Sequence, residues 1–242
     1  MKIGCCGFAV AFEKYVKSLD VVEVQKTFYK PPKPETAEKW RKKADSMNKD
    51  FEFTIKAFQV ITHPPNSPTY RKVKLEVGKD VGFFNPVKEV FEAWEKTKEI
   101  AEILKADKII FQTPASFKMT RQNLERVDEF FGSIDGSFTF IWEPRDIAGE
   151  ILDYFIEILE KHGIIHCVDP FVSEPVKQGK TNYFRLHGAY KGKKIVYSYT
   201  YTADDLEKLK EKMTPYSNPY VMFNNKTMYQ DALRFKAIQG DY

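Results

Sequence analysis

Three cations, two carboxylates and a histidine carry most of the chemistry this sequence could perform. Lys56, Arg145 and Arg185 suit an anion clamp, because guanidinium forks and a point-charge ammonium match phosphate or carboxylate. Glu143 and Asp169 suit an acid/base pair if their surroundings drive their proton affinities apart. His187 would add a proton shuttle near neutral pH. Glu23, Gln25, Gln112, Tyr190 and Asn224 are the expected polar contacts to a substrate. The same set also admits a second reading. Glu23, Glu143 and Asp169 could neutralise the three cations in an internal ion-pair network that binds nothing.

Nearly all of these residues stand near the carboxyl ends of strand-like segments. In TNYFRLHG, residues 181–188, a period of two puts Tyr183, Arg185 and His187 on one face and Phe184 and Leu186 on the other. Residues 2–6, 21–25, 51–56, 108–112, 138–143, 164–169 and 220–224 read as further strands. With the polar phase inward, Glu23, Gln25, Lys56, Gln112, Glu143, Asp169, Arg185, His187 and Asn224 would converge on one rim. Val24, Ile55, Phe111, Trp142, Val168, Leu186 and Phe223 would then face outward to helices.

Helical periodicity fills most of the gaps. It covers 8–19, a stretch capped by Thr36 and running to about 47, and 86–104. Further helices are a stretch capped by Thr120, 147–162 closed by Gly163, one capped by Thr202, and 228–238. KTFYKPPKP reads as a loop, and 57–85 as a long proline-punctuated connection of the kind that often carries function. The crossover between the sixth and seventh strands is too short for a full helix. Eight strands, most followed by a helix, in about 250 residues indicate a single (β/α)₈ TIM-type barrel over residues 1–242. A doubly wound flavodoxin-like sheet is the fallback, although it normally uses fewer strands.

Composition narrows the partners. With 30% charged residues and a net charge of +4, the surface is mildly basic and does not demand nucleic acid. The three cysteines, Cys5, Cys6 and Cys167, lack metal-type spacing and favour a reducing, cytoplasmic setting. No apolar run approaches the roughly 20 residues of a membrane helix, and the amino-terminal MKIGCCGF runs straight into a strand without a signal-peptide core. Of the four histidines, only His187 is expected on the rim. His166 should face outward, His162 suits a helix carboxyl end, and the sequence does not place His63. No metal or other cofactor is therefore expected. The basic and tyrosine-rich loop 190–201 reads as a lid over the mouth; stacking on nucleic acid is the less favoured alternative.

Several stretches taken together resemble a known family. VEVQKTFYKPP, FTIKAFQVITHPP, FQTPASF, NYFRLHGAY with YSYT, and YVMFNN are similar, in order and over most of the chain, to the motifs of the domain of unknown function 72, or YecE-like, family. Gln25 stands where that family usually has Asn, and Asp146 where a histidine often follows the arginine. The resemblance implies a (β/α)₈ barrel and brings no catalytic assignment with it. From the residues themselves, the expected function is acid/base chemistry on a small anionic substrate, as a hydrolase, lyase or isomerase. A metal-assisted phosphodiesterase or nuclease, and a non-catalytic anion-binding barrel, are the alternatives.

Overall fold

A computed structural model describes residues 1–134, 136–145, 151–192 and 194–240. In chain order the elements are β1 Lys2–Cys5, α1 Phe12–Ser18, β2 Val21–Val24, α2 Lys26–Tyr29, α3 Pro34–Asp45, β3 Glu52–Lys56, α4 Gln59–Thr62 and α5 Pro68–Val73. They continue with α6 Lys88–Leu104, β4 Lys108–Gln112, α7 Arg121–Ser133, β5 Thr139–Glu143, α8 Leu152–His162, β6 Ile165–His166 and β7 Asn182–Leu186. The chain ends with β8 Ala189–Lys191, β9 Lys194–Val196, α9 Ala203–Met213, β10 Pro219–Phe223 and α10 Met228–Gln239.

Eight strands share one sheet in the order β6-β5-β4-β3-β2-β1-β10-β7. The pairings β1 with β2, β1 with β10, β10 with β7, β3 with β4, β4 with β5 and β5 with β6 are parallel. Just after β6, a parallel bridge from Val168 to Phe184 reaches β7, and the Arg185 amide donates to the Val168 carbonyl at 3.0 Å. Eight parallel strands thus form a nearly closed barrel, the (β/α)₈ class that the alternation predicts.

The chain packs as two compact units. One comprises Met1–Val24, Lys42–Phe53 and Cys167–Tyr242; the other Gln25–Arg41 and Thr54–His166. In the second, Phe111 of β4 and Phe140 of β5 pack on Trp94 of α6 and Phe131 of α7, and Trp142 packs on Phe155 of α8. Phe111 and Trp142 are residues assigned to the outward phase, and Phe140 shares it, so Gln112 and Glu143 take the opposite phase. In the first unit the outward Phe223 meets Phe235 of α10, and Phe184 meets Tyr216. Cys5, Cys6 and Cys167 are free and buried, as small apolar residues usually are. Among the described residues, no helix is long and apolar enough to cross a membrane.

The structure moves several expected boundaries. The strand expected over 21–25 stops at Val24, because Gln25 adopts helical angles (φ −78°, ψ −23°) and opens α2. KTFY is therefore a helical turn, and the loop begins only where Pro31 and Pro32 remove donors. Thr36 does not cap α3. That helix starts at Pro34, whose fixed φ suits a first turn, and the Thr36 amide already donates to the Lys33 carbonyl at 2.9 Å. The sixth strand, expected over 164–169, shrinks to Ile165–His166 plus the single bridge at Val168. The expected start of the next-to-sixth-strand helix at 147 lies outside the described residues, which resume with α8 at Leu152. The 57–85 connection carries α4 and α5. Part of the predicted lid is an antiparallel hairpin, β8 with β9.

Candidate active site

Within Gln25–Arg41 and Thr54–His166, three consecutive barrel strands end in polar residues that form one chain of contacts. Lys56 closes β3, Gln112 closes β4 and Glu143 closes β5. The Lys56 ammonium donates to Gln112 Oε1 at 2.5 Å, and Gln112 Nε2 donates to Glu143 Oε2 at 3.2 Å. An ammonium only donates and a carboxylate accepts, so this order also dictates which way the Gln112 amide points. Arg145 reaches the other carboxylate oxygen, with Nη1 3.5 Å from Oε1. Lys56 is only 6% exposed, and its ammonium lies 3.8 Å from the centroid of the Phe28 ring. The electron-rich ring face replaces part of the lost hydration. Thr27 donates to the Lys56 carbonyl at 2.7 Å, and the Thr113 amide to the Glu143 carbonyl at 3.2 Å, which fixes the strand ends.

Sequence reasoning missed two members of this group. Phe28 lies in the stretch read as a loop, and His63 could not be placed. In the structure the His63 ring stands edge-on to Phe28, with centroids 4.8 Å apart, and its Nδ1 lies 2.8 Å from Thr62 Oγ1. The available signal was THPP, a histidine between a barrel strand and a proline pair.

The remaining expected site residues, Gln25 apart, fall in the other unit. Arg185 Nη2 donates to Glu23 Oε1 at 2.9 Å, and the Tyr183 hydroxyl donates to Glu23 Oε2 at 3.0 Å. Asp169 accepts from the Phe171 and His187 amides, each at 3.0 Å, and from the Tyr190 hydroxyl at 3.2 Å. Burial pushes the Asp169 carboxyl up, against the lowering effect of those donors. Its contacts tie together the backbone on either side of β7. The Asn224 amide nitrogen lies 3.0 Å from His187 Nδ1. An amide nitrogen can only donate, so Nδ1 accepts, and a neutral His187 ring carries its proton on Nε2. Gln25, at the start of α2, belongs to the Lys56 unit and not to a strand. The hairpin seats Tyr197 edge-on to His187, while Tyr201 is buried, stacked on Phe171 and bonded to Gly188. Among the described residues, no group of three or more His, Cys, Asp or Glu side chains is placed to hold a metal.

The other histidines explain themselves. His162, at the end of α8, meets Asp128 Oδ1 at 2.6 Å. His166 packs edge-on to Phe155, facing a helix as expected. Burial holds His166 down at about 4; burial, then Lys56 and Arg145, hold His63 at about 3. Below the ordinary value of 6.5, the unfolded chain takes up protons that these folded imidazoles refuse. Stability should therefore fall as the pH drops from 6.5 towards 4 and then 3. Asp169, with its raised carboxyl, acts in the opposite sense. Urea midpoints measured across this window should decline, and decline less in His166→Phe, which keeps the aromatic contact. Midpoints that stay level from pH 7 to 4 in the wild type would contradict this assignment.

Comparison with known proteins agrees with the fold. A DUF72 family protein from Enterococcus faecalis V583 superposes with a TM-score of 0.71 at 16% identity, covering 100% of this chain and 96% of that one. A D-psicose 3-epimerase superposes at 0.56 with 13% identity, covering 99% and 98% of the two chains. A xylose isomerase domain protein from Planctomyces limnophilus gives 0.56 and 13%, covering 98% and 94%. A search of curated proteins finds no significant match. The family model described as "Protein of unknown function DUF72" matches residues 9–239, nearly the whole length, and the chain belongs to that family.

Proposed function

We propose that this protein is an enzyme that performs acid/base chemistry on a small anionic molecule at the carboxyl ends of β3, β4 and β5. The observation that carries this reading is the chain Lys56–Gln112–Glu143–Arg145. A buried lysine is costly to desolvate, and this one donates to the Gln112 amide and lies against the Phe28 ring face, which hold a cation at the ends of β3 and β4. Arg145 adds a guanidinium fork at Glu143. Glu143, oriented by Gln112 on one oxygen and Arg145 on the other, is the group that moves a proton. The reaction class is a hydrolase, lyase or isomerase step without a redox change.

Anion binding tests the first half of this reading. Inorganic phosphate and acetate, titrated by calorimetry or NMR, should bind the wild-type protein. Charge-assisted hydrogen bonds are worth about 1.5–3 kcal/mol, so Lys56→Met should weaken that binding about tenfold or more. Wild-type protein that binds neither anion, or a folded Lys56→Met variant that binds both as well as wild type, would overturn the proposal. Turnover of any substrate found in a metabolite screen separates an enzyme from a barrel that only holds its ligand.

A further inference from the structure

Residues 82–84 form a left-handed backbone run, with φ of 86° at Gly82, 53° at Phe83 and 55° at Phe84. Glycine adopts this region freely, but a phenylalanine there is strained by its Cβ. Phe84 offsets part of that strain by complete burial among Phe111, Phe130, Phe131 and Trp142. The run has a definite task. Its three amides donate in succession to the carbonyls of Val60 (2.9 Å), Thr62 (3.3 Å) and Ile61 (2.9 Å), at the end of the one-turn helix α4. The approach is close: a Cβ on Gly82 would lie 2.2 Å from the His63 carbonyl oxygen and 2.7 Å from Pro64 N. Tyr70 donates to that same carbonyl at 2.8 Å. The strained run therefore binds the three carbonyls that precede His63 and packs closely on the His63 carbonyl, to which Tyr70 donates.

His63 has a distinctive setting. The residue is 7% exposed, with its ring edge-on to Phe28, whose ring also meets Tyr29 and the Lys56 ammonium. The His63 amide donates to the Gln59 carbonyl at 2.8 Å, and Gln59 Oε1 is buried with no hydrogen-bond partner among the described residues. Burial and the two nearby cations keep the imidazole neutral. A neutral ring next to cations contributes a hydrogen bond without charge. The charge of an anionic ligand falls to Lys56 and Arg145, while the imidazole, whose Nδ1 already meets Thr62 Oγ1, offers Nε2 to an uncharged group. A hydroxyl is the natural partner, because it both donates and accepts and so satisfies either imidazole tautomer.

We propose that His63 is a specificity-determining residue of the Lys56 site, binding a hydroxyl next to the ligand's anionic group, and that the Gly82–Phe84 run exists to fix its position. The substrate class is thus a small hydroxylated anion. This rests on the reading of Lys56 as the anion-binding group, and the test separates the two. Glycolate and acetate differ by one hydroxyl beside the carboxylate, and both are titrated by NMR against each variant. Wild type should prefer glycolate by about threefold to tenfold, as one neutral hydrogen bond allows. His63→Ala should bind both equally at the acetate level, and Lys56→Met should lose both. Gly82→Ala should behave like His63→Ala; if it does not fold, His63→Ala and His63→Phe decide. Equal affinities in wild type, or a preference that survives in His63→Ala, overturn the role of His63 and leave the Lys56 site standing. Binding of neither anion by wild type overturns both.

Discussion

An Arg185→Met variant is expected to unfold at much lower urea concentration than wild type, with a loss of about 3–5 kcal/mol. The guanidinium is 1% exposed and Glu23 is 0% exposed, and they meet at 2.9 Å. Methionine approximates the volume of the arginine stem but leaves the Glu23 carboxylate in the interior without its guanidinium, while the Tyr183 hydroxyl still donates to it. Most of the expected loss comes from that stranded charge and not from the attraction removed. Replacing both members, as in Glu23→Leu with Arg185→Met, should therefore recover most of the stability. Equilibrium denaturation of the two variants measures the difference. If the single change costs under about 1 kcal/mol, the pair is not structural, and Arg185 returns to the ligand-binding role that its strand-end position first indicated.

Glu143→Gln is expected to leave the fold intact and to reduce turnover by about 10²–10⁴-fold, the usual contribution of a positioned acid or base. Glutamine keeps the size of the side chain, and its amide oxygen can still accept from Gln112 Nε2, now 3.2 Å from the carboxylate. It cannot take up a proton. It loses the ion pair with Arg145, a long contact at 3.5 Å whose guanidinium side is 24% exposed. Urea midpoints within about 1 kcal/mol of wild type, together with the kinetic loss, would separate catalysis from simple charge balance. Near-native turnover in the folded variant would remove Glu143 from the mechanism. Unchanged affinity for phosphate alongside lost turnover would assign binding to Lys56 and proton transfer to Glu143.

Much of this was legible in the amino-acid order. Alternation with a period of two located β3, β4, β5, β7 and β10 to within two residues at each end. The polar residue ending each strand, Lys56, Gln112 and Glu143 among them, followed from the same alternation. Thr120, Thr202 and Gly163 marked helix ends by their own chemistry, and the structure uses all three. These features depend on neighbours one to four residues away, which sequence displays directly. Pairing does not have that property. Lys56 meets a partner 56 positions away and Glu23 one 162 positions away, from a pool of cations and carboxylates that sequence leaves equivalent. The anion clamp and the internal ion pair were both consistent with the residue types; only the folded arrangement joined Arg185 to Glu23 and gave Lys56 a neutral amide and the face of Phe28. The left-handed phenylalanines at 83 and 84 had no local signal at all, since no side chain prefers that region strongly enough to announce it. Their conformation is imposed by burial of Phe84 and by the carbonyls of α4, long-range contacts that bring the Gly82 backbone against the His63 carbonyl.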